Sequence, residues 1–356
     1  MTAAIALRRN QFDVEVIEKD PAWKVYGVGI IQQSNVVRAM AQLGLLDHYL
    51  SAAFGFDFVE VYLPDGRRVA RIPSRRLIED RPANLGIARP ALHKVLGDHA
   101  IAAGARVRLG VTALALEDDG HSVAVRFSDG GSGKYDCVVG ADGVHSNTRR
   151  TVLPSAPSPE FTGQSVWRYN FQRPAEVDCL RAFEGPVGVG LVPLSQSTMY
   201  MFVTTPEPLN PRYPHAGLAA VMRSKLSAAA PYIGALVPQI TDDAAVVYKP
   251  EECIFIESAW HRGRIVLVGD AVHATTPHLG QGAGMAIEDG IVLAEELARC
   301  ASPEEAFRAY QLRRFERCQF TVRLSRSICD SQLGKRAPVD QARATMEMFK
   351  VMAQPI

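Results

Sequence analysis

The sequence has no excess charge of either sign. Lys and Arg number 39 against 38 Asp and Glu, a formal net charge of +1. So even a balance offers no field that would gather nucleic acid or an anionic membrane surface. Cysteine is scarce: positions 137, 179, 253, 300, 318 and 329 form no C-x-x-C pair and no regular spacing. That excludes zinc-ribbon and redox-dithiol spacings and fits reduced thiols in a cytoplasmic protein. No apolar run reaches the ~18 residues of a membrane span. Residues 1–10 form an amphipathic helical piece rather than a charged start before a greasy core, so no secretory signal is expected. Repeats and low-complexity tracts are missing too. What is present is a chain of 356 residues, 47% of them hydrophobic, enough for a large core in one or two domains.

Residues 264–290 carry the most information. Residues 265–268 are apolar and β-branched, as in a strand buried on both faces of a parallel sheet. Gly269 ends that strand, and Asp270 stands at its carboxyl end, where open α/β sheets bind ligands. Pro277 breaks the chain. Gly280-Gln281-Gly282-Ala283-Gly284 then opens a helix expected to run to about Cys300. Small residues let a ligand approach bare backbone, and free N–H groups at a helix start favour negative charge. A carboxylate beside such a start suits a ligand with both hydroxyls and a developing anion. A reduced flavin fits, with a ribitol hydroxyl on Asp270 and its N1/O2 edge at the helix start.

A second landmark lies near the beginning. Residues 12–18 read as a strand with Glu18 at its tip, followed by Lys19. In dinucleotide-binding units an acid about 20 residues past a glycine fingerprint holds the adenosine ribose. The G-x-G-x-x-G turn and the strand before it are not found ahead of Glu18. Residues 2–10 read as a helix end, so the sequence is expected to start inside the first helix, without a central strand and the backbone cradle for a pyrophosphate. Asn35 is the expected N-cap of a helix over 35–43 that carries Arg38. Residues 59–63 and 67–71 form a hairpin around Pro64-Asp65-Gly66. Arg89 precedes Pro90 at another helix start. A third landmark is the strand ending in Gly140-Ala141-Asp142-Gly143.

Prolines 154, 157 and 159 mark a boundary. Short strands follow over 165–171, 180–183, 187–192, 198–203, 246–248 and 253–256, with a helix over 218–229. Ser302-Pro303-Glu304-Glu305 is a helix start with an N-cap, Pro at the first position and acids in the first turn. That helix docks through Phe307, Tyr310 and Phe315 and carries its arginines on other faces.

In this order and at these spacings, Glu18, Arg89, Gly140–Gly143 and Gly269–Gly284 resemble the motifs of the single-component (group A) FAD-dependent aromatic hydroxylases. That family contains the p-hydroxybenzoate, salicylate, 3-hydroxybenzoate and urate hydroxylases, and the resemblance covers nearly the whole chain. It implies an α/β fold: a doubly wound, Rossmann-like FAD-binding domain (1–155 and 261–300) and an inserted, mostly antiparallel β-sheet substrate domain (156–260). Helices follow over 301–356. It implies FAD held by Glu18, Lys19, Arg38, Arg89, Val111, Asp142, Asp270, Gly280, Gln281, Gly282, Ala283 and Gly284, with no metal. The implied activity is hydroxylation of a small aromatic or heteroaromatic phenol or acid by O2 through a flavin C4a-hydroperoxide. NADH or NADPH would be a transient co-substrate. Such oxygen transfer needs an electron-rich ring and a dry pocket. Tyr200 matches a substrate-facing Tyr of some relatives and is the expected catalytic residue. Arg168 resembles another family position, and His273 is expected to make a structural hydrogen bond. A cytoplasmic monomer or homodimer is implied.

Two alternatives stay open on the sequence. One is a related flavin oxidoreductase acting on an isoprenoid or polyketide. The other is a truncated, flavin-free protein with a binding role, which the missing glycine turn alone suggests.

Overall fold

Two parallel strand pairs carry the layer on which the site is mounted. In the computed structural model, which describes residues 1–356, Ile265–Leu267 pairs in parallel with Val138–Gly140. Glu15–Glu18 pairs in parallel with Arg106–Leu109. All three residues of Ile265–Leu267 are buried, so that strand needs cover on both faces. The helix Gly282–Arg299 provides much of it. On one side Ile287 and Ile291 join Ile5, Met40, Leu85 and Leu96 in the largest apolar cluster. On the other, Met285, Val292 and Leu293 pack with Val266, Leu267, Phe307 and Tyr310. Each such fully buried side chain is worth ~1.5–3 kcal/mol relative to exposure. Helix Thr2–Arg9 crosses Gly282–Arg299 so closely that a Cβ at Gly290 would stand 2.6 Å from the Ala3 nitrogen.

The second layer is a seven-stranded sheet. Its order is Val247–Cys253, Glu160–Gln172, Thr198–Pro206, Gly188–Pro193, Leu180–Phe183, Phe58–Tyr62, Arg68–Pro73. Every pairing is antiparallel except Leu180–Phe183 with Phe58–Tyr62. Alternation sorts the side chains. Trp167, Tyr169, Met199, Met201, Val203 and Leu191 build a core under the helix Leu218–Lys225. The intervening residues Arg168, Tyr200, Phe202 and Thr204 line a cleft on the opposite face. A small sheet of Gly29–Gln32, Asn84–Ala88 and Ala53–Phe56 ties the layers together. A Cβ at Gly86 would lie 1.9 Å from the Pro193 carbonyl oxygen, so the contact is backbone on backbone.

Several expectations change in detail. Residues 58–73, assigned by range to the FAD unit, hydrogen-bond into the seven-stranded sheet, because Phe58–Tyr62 finds an open edge on Leu180–Phe183. Asn35 is not a cap: Gln33 precedes the helix Ser34–Gln42, and buried Asn35 donates to Gln281 and Glu288. The strands expected over 246–248 and 253–256 are one strand, Val247–Cys253, and residues 254–256 lie outside it. The helix Pro303–Gln332 does not keep all its arginines outside: Arg314 is fully buried against the acids Glu288 and Asp289.

Candidate active site

Gly269 has φ +59, a conformation that L side chains avoid, and its N–H donates to the buried Asp289 carboxylate at 2.9 Å. That bond fixes the turn which delivers Asp270 to the cleft. The Asp270 side chain is exposed to the cleft, and the protein packed closely around that opening raises its carboxyl above the usual range. The turn Pro277–Leu279 follows, then Gly280 at φ +64. A Cβ there would meet Ile31 at 2.8 Å. The helix Gly282–Arg299 starts with no side-chain cap, and its first backbone bond runs from the Met285 N–H to the Gln281 carbonyl. The N–H groups of Gly282, Ala283 and Gly284 therefore stay free, as anion binding at a helix start requires. Gly282 and Ala283 line the cleft. Gln281 turns away and pairs with Gln33 and Asn35.

Behind this turn lies a fully buried ionic network. Asp289 accepts from His273 Nε2 at 2.7 Å and Arg314 Nε at 2.9 Å, and Arg314 also donates to Glu288 at 2.6 Å. Burial works to raise Asp289, but His273, Arg314 and the Gly269 N–H outweigh it and hold the carboxylate well below its usual range. His273 thus makes the structural bond its sequence context suggests.

The other sequence-derived positions divide into two groups. Arg89 begins the helix Arg89–Ala102, lines the cleft, and leaves its Nε buried without a partner. Glu18 ends its strand, Lys19 beside it is exposed, and the Val111 N–H donates to the Glu18 carbonyl at 2.9 Å. These three form a separate corner, outside the cleft lining. Asp142 accepts from the Thr148 N–H and hydroxyl beside Ser146, the N-cap of the helix Asn147–Val152, while its neighbours Ala141 and Gly143 line the cleft. Arg38 is not brought to the cleft: its guanidinium donates to the carbonyls of Met352, Ala353 and Gln354.

The roof and the turn contribute two polar groups expected from the sequence, Tyr200 and Arg168, and two that its motifs do not carry, Glu251 and His278. Tyr200 is 4% exposed and fills the space beside Gly29, where a Cβ would stand 2.2 Å from its ring. Burial raises its hydroxyl, against the pull of Arg168 and Arg89. Arg168 is held down to about 10 by burial, with Arg89 adding to the effect. Glu251 is pushed up to about 8 by burial, against the pull of Arg168. His278 is lowered to about 4, again by burial. The legible signal for Glu251 was the alternation along Val247–Cys253, but the pairing shift between Phe161 and Ser165 sets which face it takes. The cleft enclosed by these groups has a volume of about 590 Å³.

A carboxylate, a free helix start and an arginine with an unpartnered Nε thus line one cavity under the seven-stranded sheet. The FAD binding domain family model matches residues 1–325. The FAD-dependent urate hydroxylase of Klebsiella pneumoniae is 30% identical over 356 residues, 96% of this chain and 90% of that protein. The 2-heptyl-3-hydroxy-4(1H)-quinolone synthase of Pseudomonas aeruginosa is 30% identical over 330 residues, 89% of this chain and 84% of the relative. The crystal structure of Klebsiella pneumoniae HpxO complexed with FAD and uric acid superposes with a TM-score of 0.83 at 27% identity, over 99% of this chain and 89% of that one. The chain belongs to the FAD-dependent aromatic hydroxylase family and is a flavoprotein monooxygenase. No helix is long and apolar enough to cross a membrane.

Proposed function

We propose that this protein hydroxylates a small aromatic or heteroaromatic phenol or acid, with O2 as co-substrate and NADH or NADPH as transient reductant. One observation carries the reading. Among the buried polar atoms without protein partners, the Arg89 Nε and both Glu251 oxygens belong to residues that line, with Asp270 and Arg168, a single cleft between the helix start and the roof. Unsatisfied buried polar groups are costly, so their convergence marks a ligand site.

The residues present fit FAD. Asp270, Arg89 and the N–H groups of Gly282–Gly284 would hold its isoalloxazine end, and Glu18, Lys19 and the backbone near Val111 would face the adenosine end. Bound FAD supplies the activation of O2. The chain supplies the rest. Tyr200, whose hydroxyl stays protonated at neutral pH, donates to the substrate oxygen and stabilises the electron-rich phenolate. Arg168 adds positive charge on the same side. The apolar roof around Phe202 and Val166 excludes water. A cytoplasmic monomer or homodimer completes the proposal.

Relatives named for urate and for an alkylquinolone support the heteroaromatic class. A second reading, action on an isoprenoid or polyketide, draws on the apolar side chains Val59, Val61, Leu180, Met348 and Phe349, which also line the cleft. The test is a screen of hydroxybenzoates and hydroxypyridines against the FAD-loaded protein. Stimulated NAD(P)H oxidation with a product one oxygen atom heavier supports the proposal. Stimulation that yields only hydrogen peroxide from every compound contradicts it.

A further inference from the structure

Glu251 is 5% exposed, and neither of its carboxyl oxygens has a hydrogen-bond partner. No other carboxyl in the chain is buried with both oxygens bare. Its surroundings explain why it waits for a ligand. His278 is spoken for at both ring nitrogens, by Thr276 and by Gln332 at 3.0 Å each. The Gln332 oxygen also accepts from Gln164 at 2.8 Å. Arg168 pulls on Glu251 through space but forms no ion pair with it. Glu251, His278 and Cys329 each bring one ligand-capable atom within 4.8 Å of the others. Yet the imidazole is already committed, and burial pushes the Cys329 thiol up to about 12, so a metal is a poor occupant.

A buried carboxyl without a counter-ion neutralises itself by holding its proton. A neutral carboxyl presents an O–H donor and a C=O acceptor side by side. The matching edge is an acceptor beside a donor, the carbonyl and N–H of a cyclic amide. A carboxylate offers two acceptors and sets one against the Glu251 carbonyl, and a phenol satisfies only one of the two groups. We propose that Glu251 is a specificity-determining residue that reads the lactam edge of a heteroaromatic substrate, such as a pyridone, quinolone or purinone, while Arg168 takes an oxygen elsewhere on the ring. This deepens the oxygenase reading above and rests on it for the identity of the cleft.

Three probes of one bicyclic skeleton separate the possibilities: 2-quinolone, 2-naphthol and 2-naphthoate. Calorimetric titration into the full chain saturated with FAD, without NAD(P)H, reads binding and not turnover. The wild type binds 2-quinolone at least ~10-fold tighter than 2-naphthoate, the scale of satisfied against unsatisfied buried hydrogen bonds. Glu251→Leu weakens 2-quinolone by ~10- to 100-fold and moves 2-naphthol by less than about threefold. Glu251→Gln, whose amide also pairs a donor with an acceptor, keeps 2-quinolone within about threefold. A wild type that prefers the naphthoate, or binds none of the three, overturns the proposal, as does an unchanged Leu variant.

A second measurement needs no variant. The groups facing Glu251 are Arg168 from Glu160–Gln172, His278 from the turn, and Cys329 from Pro303–Gln332. With His278 at about 4, Arg168 at about 10 and Cys329 at about 12, Glu251 alone changes charge near pH 8. Affinity for 2-quinolone must therefore fall as pH rises through about 8; a flat profile overturns the proposal. Loss of FAD with the ring preference intact sinks only the oxygenase reading. Hydroxylation of a benzoate with no lactam binding sinks only this one.

Discussion

Asp289→Ala is the sharpest test of how the site is held. The carboxylate serves three donors at once: the Gly269 N–H, His273 Nε2 and Arg314 Nε. Arg314 and His273 are both fully buried, so neither finds water when the acid is removed. Stranding a buried charge by deleting its partner costs ~3–5 kcal/mol. Arg314 keeps Glu288 at 2.6 Å, which places the expected loss near the lower figure. At ~2 °C per kcal/mol, a conservative rate for a chain of this size, ~3 kcal/mol lowers Tm by roughly 6 °C. Asp289→Asn keeps one acceptor oxygen but not the charge, so it too should lose stability, by less than Asp289→Ala.

The pH dependence has a definite sign. The folded Asp289 carboxylate is depressed, so its contribution is present above the unfolded value of ~3.9 and is lost only as pH falls through the lower folded value. For His273 burial works downward, but Cys318 and Asp289 outweigh it and leave the imidazole raised. Its contribution is therefore complete below ~6.5 and declines as pH rises through the raised folded value. The wild-type advantage over Asp289→Ala should thus hold from mildly acidic to neutral pH and shrink on the alkaline side. Thermal unfolding followed by circular dichroism at several pH values measures it. A loss under ~1 kcal/mol at neutral pH, well short of a stranded buried charge, would refute the reasoning.

Three further outcomes follow from the same geometry. Asp270→Ala should weaken FAD retention on desalting without a large change in Tm, because its side chain opens onto the cleft; unchanged flavin occupancy removes it from the site. Tyr200→Phe should slow product formation while flavin stays bound, and full hydroxylation by the variant would return Tyr200 to a packing role. Gly280→Ala combines φ +64 with a Cβ 2.8 Å from Ile31, and strain of this kind costs ~1–3 kcal/mol. A variant as stable as the wild type, by denaturant titration, would show that the turn relaxes.

The landmarks legible in the sequence were those whose chemistry is local. The strand 265–268, the acid after it and the glycine-rich helix start are consecutive residues, and the structure sets them together at the cleft. The capping signal at Ser302 is equally local, and its hydroxyl accepts from the Glu305 N–H. What escaped depends on partners far along the chain. Arg314 reads as a surface arginine until Glu288 and Asp289 are seen across a helix crossing. Arg38 reads as an FAD contact until the carbonyls of the last turn, Met352, Ala353 and Gln354, are seen to accept from its guanidinium. Residues 58–73 look like a free hairpin, and only an open edge near Leu180 makes them part of the roof. Glu251 faces the cleft because an irregular pairing near Phe161 sets its strand, a register that periodicity alone does not specify.

On the proposal above, Asp270, Arg89 and the free helix start at Gly282 build a working FAD site. The most direct measurement is the visible absorbance spectrum of the 356-residue protein after incubation with FAD and desalting. Flavin bands should survive desalting at close to one flavin per chain and be lost in Asp270→Ala. A colourless wild-type protein would contradict the proposal.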